Sequence, residues 1–154
     1  MALTKLNNQS LTAVTSAGLP AGSVLQVKQS STTAEDLHAT GAWNDTGLSV
    51  SITPTSLSSK ILVFINQSCY RNGAGGGALR IVRDSTVVHQ DAAIYQTYGN
   101  ETGNRFFHNI QYLDSPNSTS SLTYKTQGIE HSGDFRTQQA SLFKSRITVM
   151  EIAG

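Results

Sequence analysis

Lys60-Ile61-Leu62-Val63-Phe64-Ile65-Asn66-Gln67-Ser68-Cys69-Tyr70 sets Ile61, Val63 and Ile65 on one side of an extended chain and Leu62 and Phe64 on the other. Side chains alternate across a strand, so a run apolar on both sides predicts a central strand covered on both faces.

The same period of two recurs on either side of this stretch. Ser23 to Gln29 alternates, with Leu25 and Val27 on one face, and Leu48, Val50 and Ile52 do so before Pro54 ends the run. Downstream, Leu79 and Ile81 continue the pattern, and Asp84-Ser85 reads as a tight turn into Thr86, which predicts a hairpin over 78–91. Phe106, His108, Ile110 and Tyr112 alternate as far as Asp114-Ser115-Pro116, and Leu122, Tyr124 and Thr126 follow. From Leu142 to Ile152 the chain alternates once more, Ile147 and Val149 facing one way and Met150 and Ile152 the other. About eight strands and no long amphipathic helix predict an all-β, antiparallel β-sandwich of the jelly-roll kind, because a sheet with one apolar face must cover it with another. Long connections at about 30–46, 92–104 and 130–140 are the expected crossings between the two sheets.

Residues 1–22 show neither alternation nor a sustained helical stripe and end in Gly18-Leu19-Pro20-Ala21-Gly22, which breaks any regular element. They read as an N-terminal arm ahead of a single domain at 23–154. Leu3, Leu6, Leu11, Val14 and Leu19 give the arm an apolar side that suits a docking peptide, beside the alternative of an unanchored terminus.

Only 14% of the residues are charged, with 11 basic against 10 acidic, while Ser and Thr together supply 36 positions. So small a net charge provides no field to attract a polyanion, and no basic run suggests a membrane surface, so neither nucleic acid nor membrane is expected as a partner. The lone Cys69 lies in an apolar run and reads as a buried thiol, compatible with assembly in a reducing cytoplasm.

Candidate chemistry is sparse. Asn72-Gly73-Ala74-Gly75-Gly76-Gly77 has the glycines of a phosphate-cradling loop but is followed by the strand-like Ala78-Leu79-Arg80-Ile81-Val82, so an inter-strand loop is expected instead. His38, His89, His108 and His131 lack the close spacing by which one element binds zinc, and His108 falls in register with Phe106 and Ile110, as a core or subunit-interface histidine does. Glu35-Asp36, Asp91, Asp114, Glu130 and Asp134 supply carboxylates that nothing in the sequence pairs across a sugar-binding cleft. No catalytic residue, cofactor or metal is expected, and the chain reads as a non-enzyme. Trp43, Tyr95, Tyr98 and Phe135 sit in loop-like stretches, where aromatics either stack on a partner or pack on their own domain.

Several segments in order carry a resemblance: Leu19-Pro20-Ala21-Gly22-Ser23-Val24-Leu25-Gln26-Val27, Ile52-Thr53-Pro54-Thr55-Ser56, Ser58-Ser59-Lys60-Ile61-Leu62-Val63, Leu79-Arg80 with Arg83-Asp84-Ser85-Thr86, Leu113-Asp114-Ser115-Pro116, Thr123-Tyr124-Lys125 and the closing Ser145 to Gly154. The succession resembles a family of structural proteins of tailed bacteriophages, cyanophages among them, often labelled tail-fibre-like, and it covers nearly all the chain after residue 18. The resemblance implies a jelly-roll or C1q-like sandwich that forms a homotrimer, without catalytic residues. With only some 22 residues ahead of the domain and no shaft, the expectation is a virion protein, assembled in the host cytoplasm, that decorates and cements the capsid. Its partners would be itself and the major capsid protein, the latter bound by the arm. The alternative is a short tail fibre or receptor-binding tip, attached to tail proteins, with Trp43, Tyr95 and Tyr98 contacting a host surface glycan.

Overall fold

In a computed structural model the described residues are 19–90, 97–99 and 103–154. They form the expected all-β sandwich: a single antiparallel sheet, curled so that its two halves face each other. Among these residues the strands are β1 (Val24–Thr32), β2 (Asp36–Leu37), β3 (Asn44–Ile52), β4 (Lys60–Arg83), β5 (Thr86–His89), β6 (Thr97–Gly99), β7 (Asn104–Asp114), β8 (Leu122–Thr137) and β9 (Ser145–Ile152).

The 24-residue β4 is the spine. Its first half lies between β9, in register from Lys60↔Ile152 to Asn66↔Arg146, and β7, from Ile61↔Asp114 to Arg71↔Asn104. From Cys69 to Arg83 it pairs with β8, on the side that β9 leaves, and beyond β7 on the other side it pairs with β6 and β5. With β1 added beyond β9 and β3 beyond β8, the first layer runs β1-β9-β4-β7 and the second β3-β8-β4-β5. β3 packs over β1 and β9 across the interior. The core joins Ile61, Val63, Ile65, Ile110, Ile147 and Val149 of the first layer to Leu48, Val50, Ile52, Leu79, Ile81, Leu122, Tyr124 and Phe135 of the second.

Four expectations are corrected. The stretch 72–77 is strand, not an inter-strand loop: β4 runs through it, with register shifts against β8 between Asn72 and Gly76 and between Gly76 and Gly77. Bulged, glycine-bearing strand is how a sheet turns a corner, so the glycines mark the bend by which β4 passes from one layer to the other. The expected crossing loop at 130–140 is mostly strand as well, since β8 extends to Thr137 before a short 3-10 turn at Gln139–Ser141. The layers are thus joined by continuous strands in addition to loops. Phe135 is a core side chain of β8, 1% exposed, where a loop was expected. Of the connection expected at 92–104, residues 92–96 and 100–102 lie outside the described residues.

The fourth correction concerns the opening stretch. Ile61, Val63 and Ile65 are buried as expected, but Leu62 and Phe64 are only half-buried, because no element of the described chain covers that side. The hairpin at Asp84-Ser85 forms as expected, Arg83 pairing with Thr86 and Asp84 taking a left-handed φ of 54°.

Candidate interaction surface

The uncovered side of the first layer is built in rows, because four antiparallel strands in register bring every second residue to one face. One row is apolar across all four strands: Val27 pairs with Met150, Met150 with Leu62 and Leu62 with Leu113. Val27 is 51% and Leu113 49% exposed, and Met150 and Leu62 are half-buried. On one side of this row stand Val24, Ile152 and Lys60, where a bulge in β1 turns Val24 outward with Val27 and so breaks the simple alternation read from Ser23 to Gln29. On its other side come Gln29, Thr148, Phe64 and Gln111, and then Ser31, Arg146, Asn66 and Asn109. These polar rows enclose a shallow groove of about 290 Å³ floored by Phe64 and edged by amides, with hydrogen bonds from Gln29 Nε2 to Thr148 Oγ1 (2.9 Å) and from Asn66 Nδ2 to Asn109 Oδ1 (2.7 Å).

The charges on this face have one sign. Lys60, Arg105 and Arg146 point outward, and no outward position on the described residues of the four strands is acidic. The carboxylates lie elsewhere and most are engaged. Glu151 is fully buried at the inward register of Ile147 and Val149, where it accepts hydrogen bonds from Gln26 Nε2 (2.6 Å), Thr55 N (2.6 Å), Thr55 Oγ1 (2.7 Å) and Ser59 Oγ (2.7 Å). Burial alone would raise its pKa, but these donors favour the anion more strongly and hold it below the usual glutamate range. Asp114 accepts from Arg83 Nη1 and, at 2.6 Å, from Tyr124 Oη, whose own pKa is pushed up by burial and then by the Asp114 carboxylate. Arg136 clamps Asp134 with Nε (2.7 Å) and Nη2 (2.8 Å) and reaches Glu35 with Nη1 (2.8 Å). Glu130 accepts from Thr40 Oγ1 at 2.8 Å. Each of these groups is committed to holding strands and turns together, and none stands opposite another across an open cleft.

The segments that carry the phage resemblance meet in these clusters. Thr55, Ser59 and Glu151 belong to three of them, and Arg83, Asp84, Asp114, Thr123 and Tyr124 to three more, with Thr123 N donating to Asp84 Oδ1 at 2.9 Å. Their role in this chain is to fix the fold.

Of the arm residues, Leu3, Leu6, Leu11 and Val14 lie outside the described residues. Leu19 is exposed, on the wall of a cavity of about 410 Å³ shared with Leu25, Thr55, Ser58, Ser59 and Gly154. Of the aromatics expected to make contacts, Tyr95 lies outside the described residues, as does the side chain of Tyr98, whose backbone contributes to β6. Trp43 is half-buried with the Arg80 guanidinium 4.4 Å above its ring, and Arg80 in turn donates to Gln127 Oε1. It packs on its own domain. Cys69 is 1% exposed and its pKa is raised by burial, which leaves the thiol without nucleophilic character.

Sequence reasoning missed two sites. One is Glu151, whose inward register was readable from its spacing to Ile147 and Val149. The other is the packing role of His38, which the sequence offered only as one of four scattered histidines: it is 1% exposed, its ring 5.5 Å from Phe135 and packed on Gly128, and burial lowers its pKa. It sits in an irregular segment with no period to place it.

No family model matches the chain, and no curated protein does. Among solved structures it is similar to the VP2 subviral particle of infectious bursal disease virus (TM-score 0.38, 13% identity, 86% of this chain and 39% of that one). It is similar also to the T13 viral particle of the same virus (TM-score 0.41, 13% identity, 86% of this chain and 37% of that one). The chain thus spans under two-fifths of the length of these proteins, and a likeness of this degree carries no inference about function.

Proposed function

We propose that this chain is a non-enzymatic structural protein of a tailed-phage virion, a homotrimeric decoration protein that binds and cements the capsid shell. The observation that carries the reading is the apolar row Val27, Met150, Leu62 and Leu113, laid across a sheet face that none of the described residues covers. A contiguous apolar patch at the centre of a polar rim marks a surface for association. The engaged state of Glu35, Asp114, Glu130, Asp134 and Glu151 supports a non-catalytic role, and the sequence resemblance supports the particle. Trp43, held beneath Arg80, favours a decoration protein over a glycan-binding tip built on that ring. Quantitative mass spectrometry of purified virions tests the reading. A decoration protein is present at hundreds of copies per particle, on the scale of the major capsid protein; a few dozen copies, or none, would refute it.

A further inference from the structure

The connection from β1 to β3, residues 33–43, runs along the edge of the last stretch of β8. Its fixings there are few: β2 pairs Asp36 with Thr137 and Leu37 with Arg136, His38 N donates to Phe135 O (3.1 Å), Gly41 N to Glu130 O (3.3 Å) and Glu130 N to Ala39 O (3.3 Å). Thr40 Oγ1 reaches Glu130 and Glu35 reaches Arg136, but contacts that open to water hold little. Within the connection His38 alone is buried, so its ring is what seats the segment in the interior. That seat suits a neutral imidazole. Nε2 lies 3.2 Å from Thr137 Oγ1, while Nδ1, also buried, has no hydrogen-bond partner among the described residues. The imidazolium carries an N–H on both nitrogens, so a proton would bring a charge and a buried donor with no acceptor. Burial of that charge outweighs the pull of Asp36, on the same segment, and of Glu130, on β8. Glu35 and Asp134 are held by Arg136, and Asp45 of β3 by Lys125. From β4, Arg71 brings a cation to the register of Phe135, and the Cys69 thiol, at the register of Thr137, is neutral.

We propose that His38 is an acid-sensitive latch: when its ring takes a proton it leaves its seat, and residues 33–43 lift from β8 while the rest of the sandwich stays folded. Opening uncovers Phe135 and leaves the edge of β8 from Glu130 to Thr137 unpaired, the kind of edge on which another strand adds. The open segment carries an ordinary imidazole, which below about pH 6.5 binds a proton that the seated ring refuses. Opening therefore becomes more frequent as pH falls through that value, by up to about ten-fold per pH unit.

Hydrogen–deuterium exchange of the full chain between pH 7 and 5, corrected for the intrinsic pH dependence of exchange and read peptide by peptide, tests it. Peptides covering 33–43 are expected to lose protection by up to about ten-fold per pH unit below 6.5, while those of β9 and the first half of β4 keep theirs. His38→Gln, which does not titrate in this range, should abolish the dependence; His131, the other imidazole on β8, stays in place, so the variant separates the two. Gly128→Ala approaches the latch from the other side: its Cβ would stand 2.7 Å from the imidazole, so the 33–43 peptides should lose protection already at pH 7. Protection of 33–43 in the wild type that is unchanged down to pH 5 would overturn the proposal. So would a dependence that survives in folded His38→Gln, a Gly128→Ala chain protected like wild type, or a loss shared equally by β9, which is general acid unfolding and not a latch.

Discussion

Replacing Glu151 by alanine is expected to lower the stability of the sandwich by about 3 kcal/mol, since hydrogen bonds to a charged group contribute roughly 1.5–3 kcal/mol net and each buried donor left unpaired adds a penalty. The carboxylate receives four donors from β1 and from the 53–59 connection, so its loss releases that segment from β9 and strands the buried Ser59 hydroxyl. Glu151→Gln keeps the shape, loses the charge, and places an amide NH2 among groups that all donate; it should recover only part of the loss. The pH dependence has a definite sign. Because the folded pKa is depressed, the contribution of Glu151 is complete above the ordinary glutamate range of about 4.3 and is lost as pH falls through the lower, folded value. His38 acts in the same direction at higher pH: burial lowers its folded pKa, so below the free imidazole value of about 6.5 the unfolded chain takes up a proton that the folded chain refuses. Urea unfolding of wild type and Glu151→Ala between pH 3 and 7 measures both effects. The gap between the two proteins should narrow at the acid end, and a gap independent of pH would contradict the assignment to a charged Glu151.

Gly77→Ala is expected to cost about 3 kcal/mol, at the upper end of the usual range for overpacking a core. A Cβ built there would collide with Phe135 Cδ1 and stand 2.6 Å from the Ile129 carbonyl oxygen, and a backbone atom cannot swing aside as a side chain can. Gly73, in the same strand, has a φ of +83° but open space around it, so Gly73→Ala should cost only about 1 kcal/mol, the strain of an L-residue in that region. Thermal unfolding of the two variants separates the accounts of this segment. A flexible inter-strand loop would tolerate alanine equally at 73 and 77, whereas the corner of a folded sheet would not.

That contrast shows which part of the fold was legible in the sequence. Ile61, Val63 and Ile65, Ile147 and Val149, and Phe106 to Tyr112 were readable because alternation is a local property, and the Asp84-Ser85 turn because its chemistry is local too. The corner at 72–77 was not, since glycines in a bent strand and glycines in a loop look alike until the partner strand is placed; only the approach of Phe135 and Ile129 tells them apart. The same limit applies to Leu62 and Phe64. Their apolar character required that the second side of β4 be covered, while the cover itself is not a property of residues 60–70. No element of the described chain supplies it.

The site was legible only in part. Trp43 was chosen for its aromatic ring in a loop-like stretch, yet Arg80, distant in sequence, occupies that ring. The open face draws its apolar row from four strands between Val27 and Met150, and no window of sequence contains it.

Met150 offers the most direct measurement of whether that face is closed in solution. The chain has two methionines, Met1 and Met150, and Met150 lies half-buried in the apolar row between Val27 and Leu62. Thioether oxidation by peroxide follows exposure and is read by peptide mass spectrometry. Met150 is expected to be protected in the wild type at micromolar concentration and to oxidise many-fold faster on dilution and in folded Leu113→Asp. Oxidation of Met150 at one rate in wild type and variant, whatever the concentration, would contradict the account.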